Sequence, residues 1–275
     1  MFVVGRKDGE VIEQGRLTIS GETNANIVIS QGTIKDRVES LIVVNPDSTL
    51  NITGNVTFEK ATVYSDNRGG VITSLGCVVA VADADSRIAR GVVNITGNGV
   101  IFSGNMSING GAIYVGEYAE LNIQGEDVDG VKFGKTTDSL ESNIAQANGG
   151  AIFVSSNAKF TLKNAWFATN TATNGGALYI SADCITQLSD CRFSTNNARV
   201  GGYGGGAIYT ESEIKLSATN VFEFVGNESN VNGGAVYATK TIWLDGNVNF
   251  NKNIALKSGG AIYAPNGLVL DGGTF

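Results

Sequence analysis

One short phrase returns six times and leaves the chain little choice of fold: two glycines, an alanine, a branched aliphatic residue and an aromatic. It reads Gly110-Gly111-Ala112-Ile113-Tyr114, Gly149-Gly150-Ala151-Ile152-Phe153, Gly175-Gly176-Ala177-Leu178-Tyr179, Gly205-Gly206-Ala207-Ile208-Tyr209, Gly233-Gly234-Ala235-Val236-Tyr237 and Gly259-Gly260-Ala261-Ile262-Tyr263. A second phrase, Phe-x-x-Asn, precedes most copies, at Phe102/Asn105, Phe167/Asn170, Phe193/Asn196, Phe224/Asn227 and Phe250/Asn253. Before the second copy it reads Leu140/Asn143. From Gly149 onward successive copies begin about 26 to 30 residues apart, a period that marks coils stacked along one axis.

Within each period lie brief alternations of apolar and polar residues. Leu50-Asn51-Ile52 returns as Val93-Asn94-Ile95 and Leu121-Asn122-Ile123, and later coils keep the pattern at Phe160/Leu162, Ile214/Leu216, Ile242/Leu244 and Leu268/Leu270. A further alternation ends in the phenylalanine, as in Ala165-x-Phe167 and Val248-x-Phe250. Three period-2 segments per repeat, parted by Gly, Asn, Ser and Asp, read as strand, corner, strand, corner, strand. No segment offers the i, i+3, i+4 spacing that a helical solenoid needs. The expected fold is all-β, a right-handed parallel β-helix with three strands per rung, each pairing with its equivalent one coil away. We expect one body over 1–275, with irregular coils or a cap over 1–45, where the double glycine is missing, and regular rungs over 46–275.

Alternation also assigns faces. Two residues beyond the aromatic stand Gly116, Ser155, Ser181, Glu211, Thr239 and Pro265, a set suited to water. The aromatics Tyr114, Phe153, Tyr179, Tyr209, Tyr237 and Tyr263 are therefore expected to point outward, with the aliphatic neighbours inward. An outward stripe of rings reads either as a stacking ladder or as a surface for a sugar or protein partner. Phe102, Phe167, Phe193, Phe224 and Phe250 read as an internal stack. The asparagines Asn105, Asn143, Asn170, Asn196, Asn227 and Asn253 read as an inner corner column whose amides satisfy one another, with receptor contact the alternative.

Composition narrows the function. A net charge of −7 and the lack of a Lys/Arg run argue against nucleic acid as a partner. No apolar run nears the length that crosses a bilayer, so no membrane insertion by this segment is expected, and the apolar start at Met1 is too short for a secretion signal. With no histidine, Ser-His and Cys-His nucleophiles and histidine metal sites are ruled out. Cys77, Cys184 and Cys191 lack metal-site spacing; Cys191 falls at a core-facing position and reads as a buried thiol, with a Cys184–Cys191 bridge the alternative. An enzyme on this fold would need clustered carboxylates, or Ca²⁺ with an arginine base. Asp83/Asp85 with Arg87/Arg90, and Glu126/Asp127/Asp129, are the nearest candidates. Each is local to one loop, so the expectation is no enzyme, no cofactor and no metal beyond weak Ca²⁺ binding at Asp83 and Asp85.

The two phrases in alternation resemble the repeat of the chlamydial polymorphic membrane proteins, clearly over about residues 100 to 275 and loosely over 50 to 100, where Gly69-Gly70-Val71-Ile72 is a degenerate copy. The resemblance implies an autotransporter passenger displayed on the outer membrane, at the cell surface, binding a host-cell surface protein or glycan. It also implies that the family's translocating barrel and signal lie outside this sequence, which we expect to be part of a longer passenger. Two other readings stand beside the adhesin: a structural fibre subunit that self-associates through open rung ends, and a carbohydrate-active β-helix enzyme.

Overall fold

The computed structural model describes residues 2–4, 6–8, 11–13, 15–22, 27–30, 40–64, 68–79, 86–137 and 140–275. They form a parallel β-solenoid of about eight turns, with no helix among the described residues; accordingly none is long and apolar enough to cross a membrane. The all-β parallel helix expected from the repeat is thus borne out.

One coil serves to describe the rest. Ile152–Val154 lies on the face that carries the double-glycine phrase, Lys159–Lys163 and Ala165–Ala168 on a second, longer face, and Thr171–Ala172 on a third. Stacked coil on coil, these make a nine-stranded, a 15-stranded and a six-stranded sheet. The three segments expected from the repeat are the strands at Ile152–Val154, Lys159–Lys163 and Ala165–Ala168, which fall on two of these sheets; the short strand of the third face is a fourth that the alternation did not mark. On the long face the strand is broken in four coils by a corner with left-handed backbone, at Gly54, Gly97, Asn164 and Asp190. At Ile214–Val225 and Ile242–Asn251 both halves run on as one strand.

The pairing between coils is parallel and in register: Leu17, Leu50, Val93, Leu121 and Phe160 succeed one another, as do Ile19, Ile52, Ile95, Ile123 and Leu162. The strands before residue 46 belong to the same sheets, Phe2–Val4 on Ile42–Val44 and Ile27–Ser30 on Val56–Glu59. Two antiparallel hairpins depart from the stack, Arg6–Asp8 with Val11–Glu13 and Gly76–Val79 with Arg87–Arg90.

The double glycine has a separate reason at each place. Gly175 has φ +59°, and a Cβ there would lie 1.9 Å from the Leu178 carbonyl oxygen. At Gly176 a Cβ would lie 2.1 Å from the Gly206 carbonyl oxygen, in the next coil. The first glycine makes the corner; the second lets the coils approach. After them Ile113, Ile152, Leu178, Ile208 and Val236 are fully buried, each contributing about 1.5–3 kcal/mol.

The core is organised in columns. The rings of Phe58, Phe102, Phe133, Phe167, Phe193, Phe224, Phe250 and Phe275 stack with centroids 4.7–5.0 Å apart up to Phe250 and 5.1 Å at the final step. This corrects one reading of the sequence. Phe133, not Leu140, occupies the aromatic place of the second copy, and an insertion separates it from Asn143. Beside the rings runs the asparagine column. Each Nδ2 donates to the Oδ1 of the next, Asn105 to Asn143, Asn170, Asn196, Asn227 and Asn253 in turn, at 2.9–3.0 Å. Each also donates to a phenylalanine carbonyl one coil back, at 2.9–3.1 Å. The residue just before the asparagine takes a left-handed conformation at Gly104, Thr169, Thr195, Gly226 and Lys252, a strained choice for a β-branched threonine.

Asn196 uses its whole hydrogen-bonding capacity: two donated bonds, to Phe167 O and Asn227 Oδ1, and two accepted, from Asn170 N and Nδ2. Asn196→Asp removes both donors and sets oxygen against oxygen. It should cost at least about 3 kcal/mol, whereas Gln187→Glu on the outer surface should stay within about 0.5 kcal/mol. Urea midpoints of the two variants decide it; similar midpoints would show that the column contributes little.

Candidate functional site

The aromatic residues of the double-glycine strands do form a column on the outer side of their sheet. Tyr114, Phe153, Tyr179, Tyr209 and Tyr237 stack with centroids 4.8–5.1 Å apart and planes within 9–11° of each other. Tyr263 follows at 5.1 Å, tilted by 31°. The expectation of an exposed stripe needs correction, because Tyr114 is only 8% and Tyr209 only 4% exposed. Rings in contact one coil apart cover each other's faces. A sugar or ring slipped between two of them would need a gap of roughly 7 Å, twice the contact distance. What remains for a partner is ring edges and hydroxyls, at the half-buried Phe153, Tyr179, Tyr237 and Tyr263.

Electrostatics follow from that burial. The Tyr179 hydroxyl donates to Glu211 Oε1 at 2.8 Å. Burial first, and then the Glu211 carboxylate, drive its ionisation far above the usual tyrosine range. Burial likewise raises Tyr114, Tyr209 and Tyr237, opposed at Tyr114 by a hydrogen bond from Ser155.

One further ring stands on a corner that the sequence lengthens between two repeats. Tyr203, in the lengthened corner Arg199–Tyr203, leans over Tyr209 and Tyr237 at 6.2 and 6.3 Å, tilted by 35° and 46°, and is 62% exposed. Its backbone N–H donates to Asn174 Oδ1, which ties the corner to the coil below. Val200 beside it is 77% exposed. An apolar pair flanking Gly201-Gly202 in an inserted corner was the available signal.

The Phe-x-x-Asn residues, by contrast, are enclosed. Asn105, Asn143, Asn170, Asn196 and Asn227 have no exposed surface, and Phe102, Phe167, Phe193 and Phe224 none either.

The carboxylate clusters are held by local partners. Asp83 and Asp85 lie outside the described residues. Arg87, their expected companion, makes a two-pronged contact with Asp47 at 2.6 and 2.9 Å, and Arg90 donates to the Tyr118 carbonyl. Glu126 and Asp127 both accept from Asn98. Asp129 pairs with Arg192 at 2.8 Å, and that guanidinium also contacts Glu223 and lies 5.4 Å over the Trp166 ring. The contacts of Arg192 so span four successive coils on the long face. Among the described residues no group of three Cys, Asp or Glu is placed to hold a metal.

All three cysteines are free. Cys191 is fully buried in the core with its Sγ on Ser189 O, and Cys184 is half-buried against Ser155 O.

Two segments of the chain, 99–116 and 247–265, match the family model of the Chlamydia polymorphic membrane protein repeat. The first runs through Phe102, Asn105 and the double glycine at 110, the second through Phe250, Asn253 and the double glycine at 259, so the chain carries this repeat as the phrases indicated. No curated protein and no solved structure matches it.

Burial pushes the Cys184 thiol up to about 11 and the Cys191 thiol up to about 12. Iodoacetamide at pH 8 should therefore leave both unmodified in the folded protein and alkylate both in urea, as read by mass spectrometry; rapid native alkylation of Cys191 would contradict the packing. The tyrosine column sets an alkaline limit. Its hydroxyls ionise less readily folded than unfolded, so above pH ~10 the unfolded chain loses protons that the folded chain keeps, and stability falls as pH rises. Urea midpoints should drop steadily from pH 9 to 11.

Proposed function

We propose that the chain forms part of a surface-displayed, non-enzymatic adhesin, a β-helical rod that attaches to a host-cell protein or glycan through its side insertions. The repeat it shares with the Chlamydia polymorphic membrane proteins supports this, and implies display on the outer face of the bacterial outer membrane.

The observation that carries the reading is a division of labour. The repeated residues are consumed by the scaffold: the asparagines and phenylalanines inside, the aromatics of the double-glycine strands largely covering one another. Part of the exposed apolar surface lies where the repeat is interrupted, besides single residues of the coils such as Ile185 and Leu256. Val78 and Ile88 stand on the inserted hairpin, 51% and 45% exposed, and Val200 and Tyr203 on the lengthened corner. Solenoids display their binding groups on such insertions. Of the groups that could have supported hydrolysis, Arg87 and Asp129 are engaged in ion pairs, Arg90 in a backbone contact, and Glu126 and Asp127 in bonds from Asn98, which favours attachment over catalysis.

For attachment, beads coated with the protein should bind host cells, and the double variant Val200→Ser with Tyr203→Ser should reduce binding several-fold at an unchanged melting temperature. Undiminished binding by a folded double variant removes the corner from the attachment surface.

A further inference from the structure

The long face carries two tryptophans, and they differ. Trp166 is occupied: its indole N–H donates to Ser194 Oγ at 2.8 Å and the Arg192 guanidinium covers its ring. Trp243 stands half-buried on the same outer surface, and neither its indole N–H nor its ring has a partner among the described residues. In its column Lys215 precedes it and Val269 follows it, one coil away on either side. Two residues along, on the same side of the sheet, Asp245 and Asp271 sit one above the other. Together with the buried Leu244 these residues line an open groove of about 410 Å³.

We propose that this groove binds a neutral saccharide, with the Trp243 ring as its platform and the Asp245 and Asp271 carboxylates accepting from its hydroxyls. A half-buried indole without a ring or hydrogen-bond partner, held on a rigid sheet, offers apolar surface on which the C–H face of a hexose packs. Carboxylates repeating at the coil spacing of about 4.8 Å suit hydroxyls on neighbouring carbons of one ring. Lys215 Nζ lies 2.6 Å from Asp245 Oδ2, which fixes that carboxylate and leaves ammonium protons for a ring or carbonyl oxygen. The rim decides the charge of the ligand. One ammonium against two carboxylates repels sulfated, sialylated or phosphorylated groups, and an apolar peptide anchor would have to desolvate all three charges. A neutral sugar does neither. The inference rests on the attachment reading, of which it names one ligand class.

With only two tryptophans in the chain, the ¹⁵N spectrum of the protein should show two indole N–H signals, assigned by Trp243→Phe. Titration with N-acetyllactosamine, N,N′-diacetylchitobiose and maltotriose should shift the Trp243 signal saturably for at least one of them and leave that of Trp166 in place. Asp271→Asn should weaken that sugar about tenfold, and Trp243→Ala should abolish saturable binding seen by calorimetry, with an unchanged far-ultraviolet spectrum in both. No shift with any of the three sugars, equal shifts of both indoles, or tighter binding of a heparin-derived tetrasaccharide than of neutral sugar would each overturn the proposal. Loss of cell binding in the Val200/Tyr203 variant together with a silent Trp243 signal sinks the saccharide site and leaves attachment standing. A saturable Trp243 shift in a protein that binds no cells does the reverse.

Discussion

A column of asparagine amides, closed on itself and on the phenylalanine carbonyls, is the constraint around which the remaining geometry is arranged. A buried primary amide has two donors and two acceptor positions, and an interior offers few ways to match all of them. Here the match comes from identical residues one coil apart. That requirement fixes the register of neighbouring coils at one corner. Once the register is fixed, equivalent rings must lie over one another, and the aromatic, aliphatic and glycine columns follow. The same requirement holds Thr169 and Thr195 in left-handed backbone, which neither would choose alone.

The repeat made the architecture legible because each phrase states a local necessity. Double glycine marks a corner at which another coil's carbonyl comes within about 2 Å of where a side chain would begin. Phe-x-x-Asn marks a ring and an amide that must recur in place. Legibility failed where chain length varied between columns. Spacing alone assigned the aromatic place of the second copy to Leu140, since the insertion between Phe133 and Asn143 hid the true partner. The third face went unread, because strands as short as Thr171–Ala172 are too brief to show alternation. Alternation assigned the tyrosine column correctly to the outer side but could not show how far stacking and the Tyr203 corner would bury it, since that depends on contacts between coils. Tyr203 and Trp243 belong to no phrase, and their surroundings exist only once the coils are stacked.

Scaffold and surface therefore answer to different rules in this chain. Residues that repeat are committed to one another, which makes them poor candidates for a partner and good reporters of the family. Residues that interrupt the repeat, or that vary on the outside of a column, are free to differ from coil to coil. The two tryptophans show how much this freedom allows: on the same face, one is closed by an arginine whose contacts span four coils and the other is left open.

The asparagine column also has a direction. From Asn105 to Asn227 each amide sends one N–H to the following coil's amide and accepts on its oxygen from the preceding coil, so no single member can turn over without breaking bonds on both sides. A coil already in place offers the next a prepared oriented seat. The two ends of the column are therefore chemically unlike, one presenting amide oxygen and the other amide N–H to whatever lies beyond.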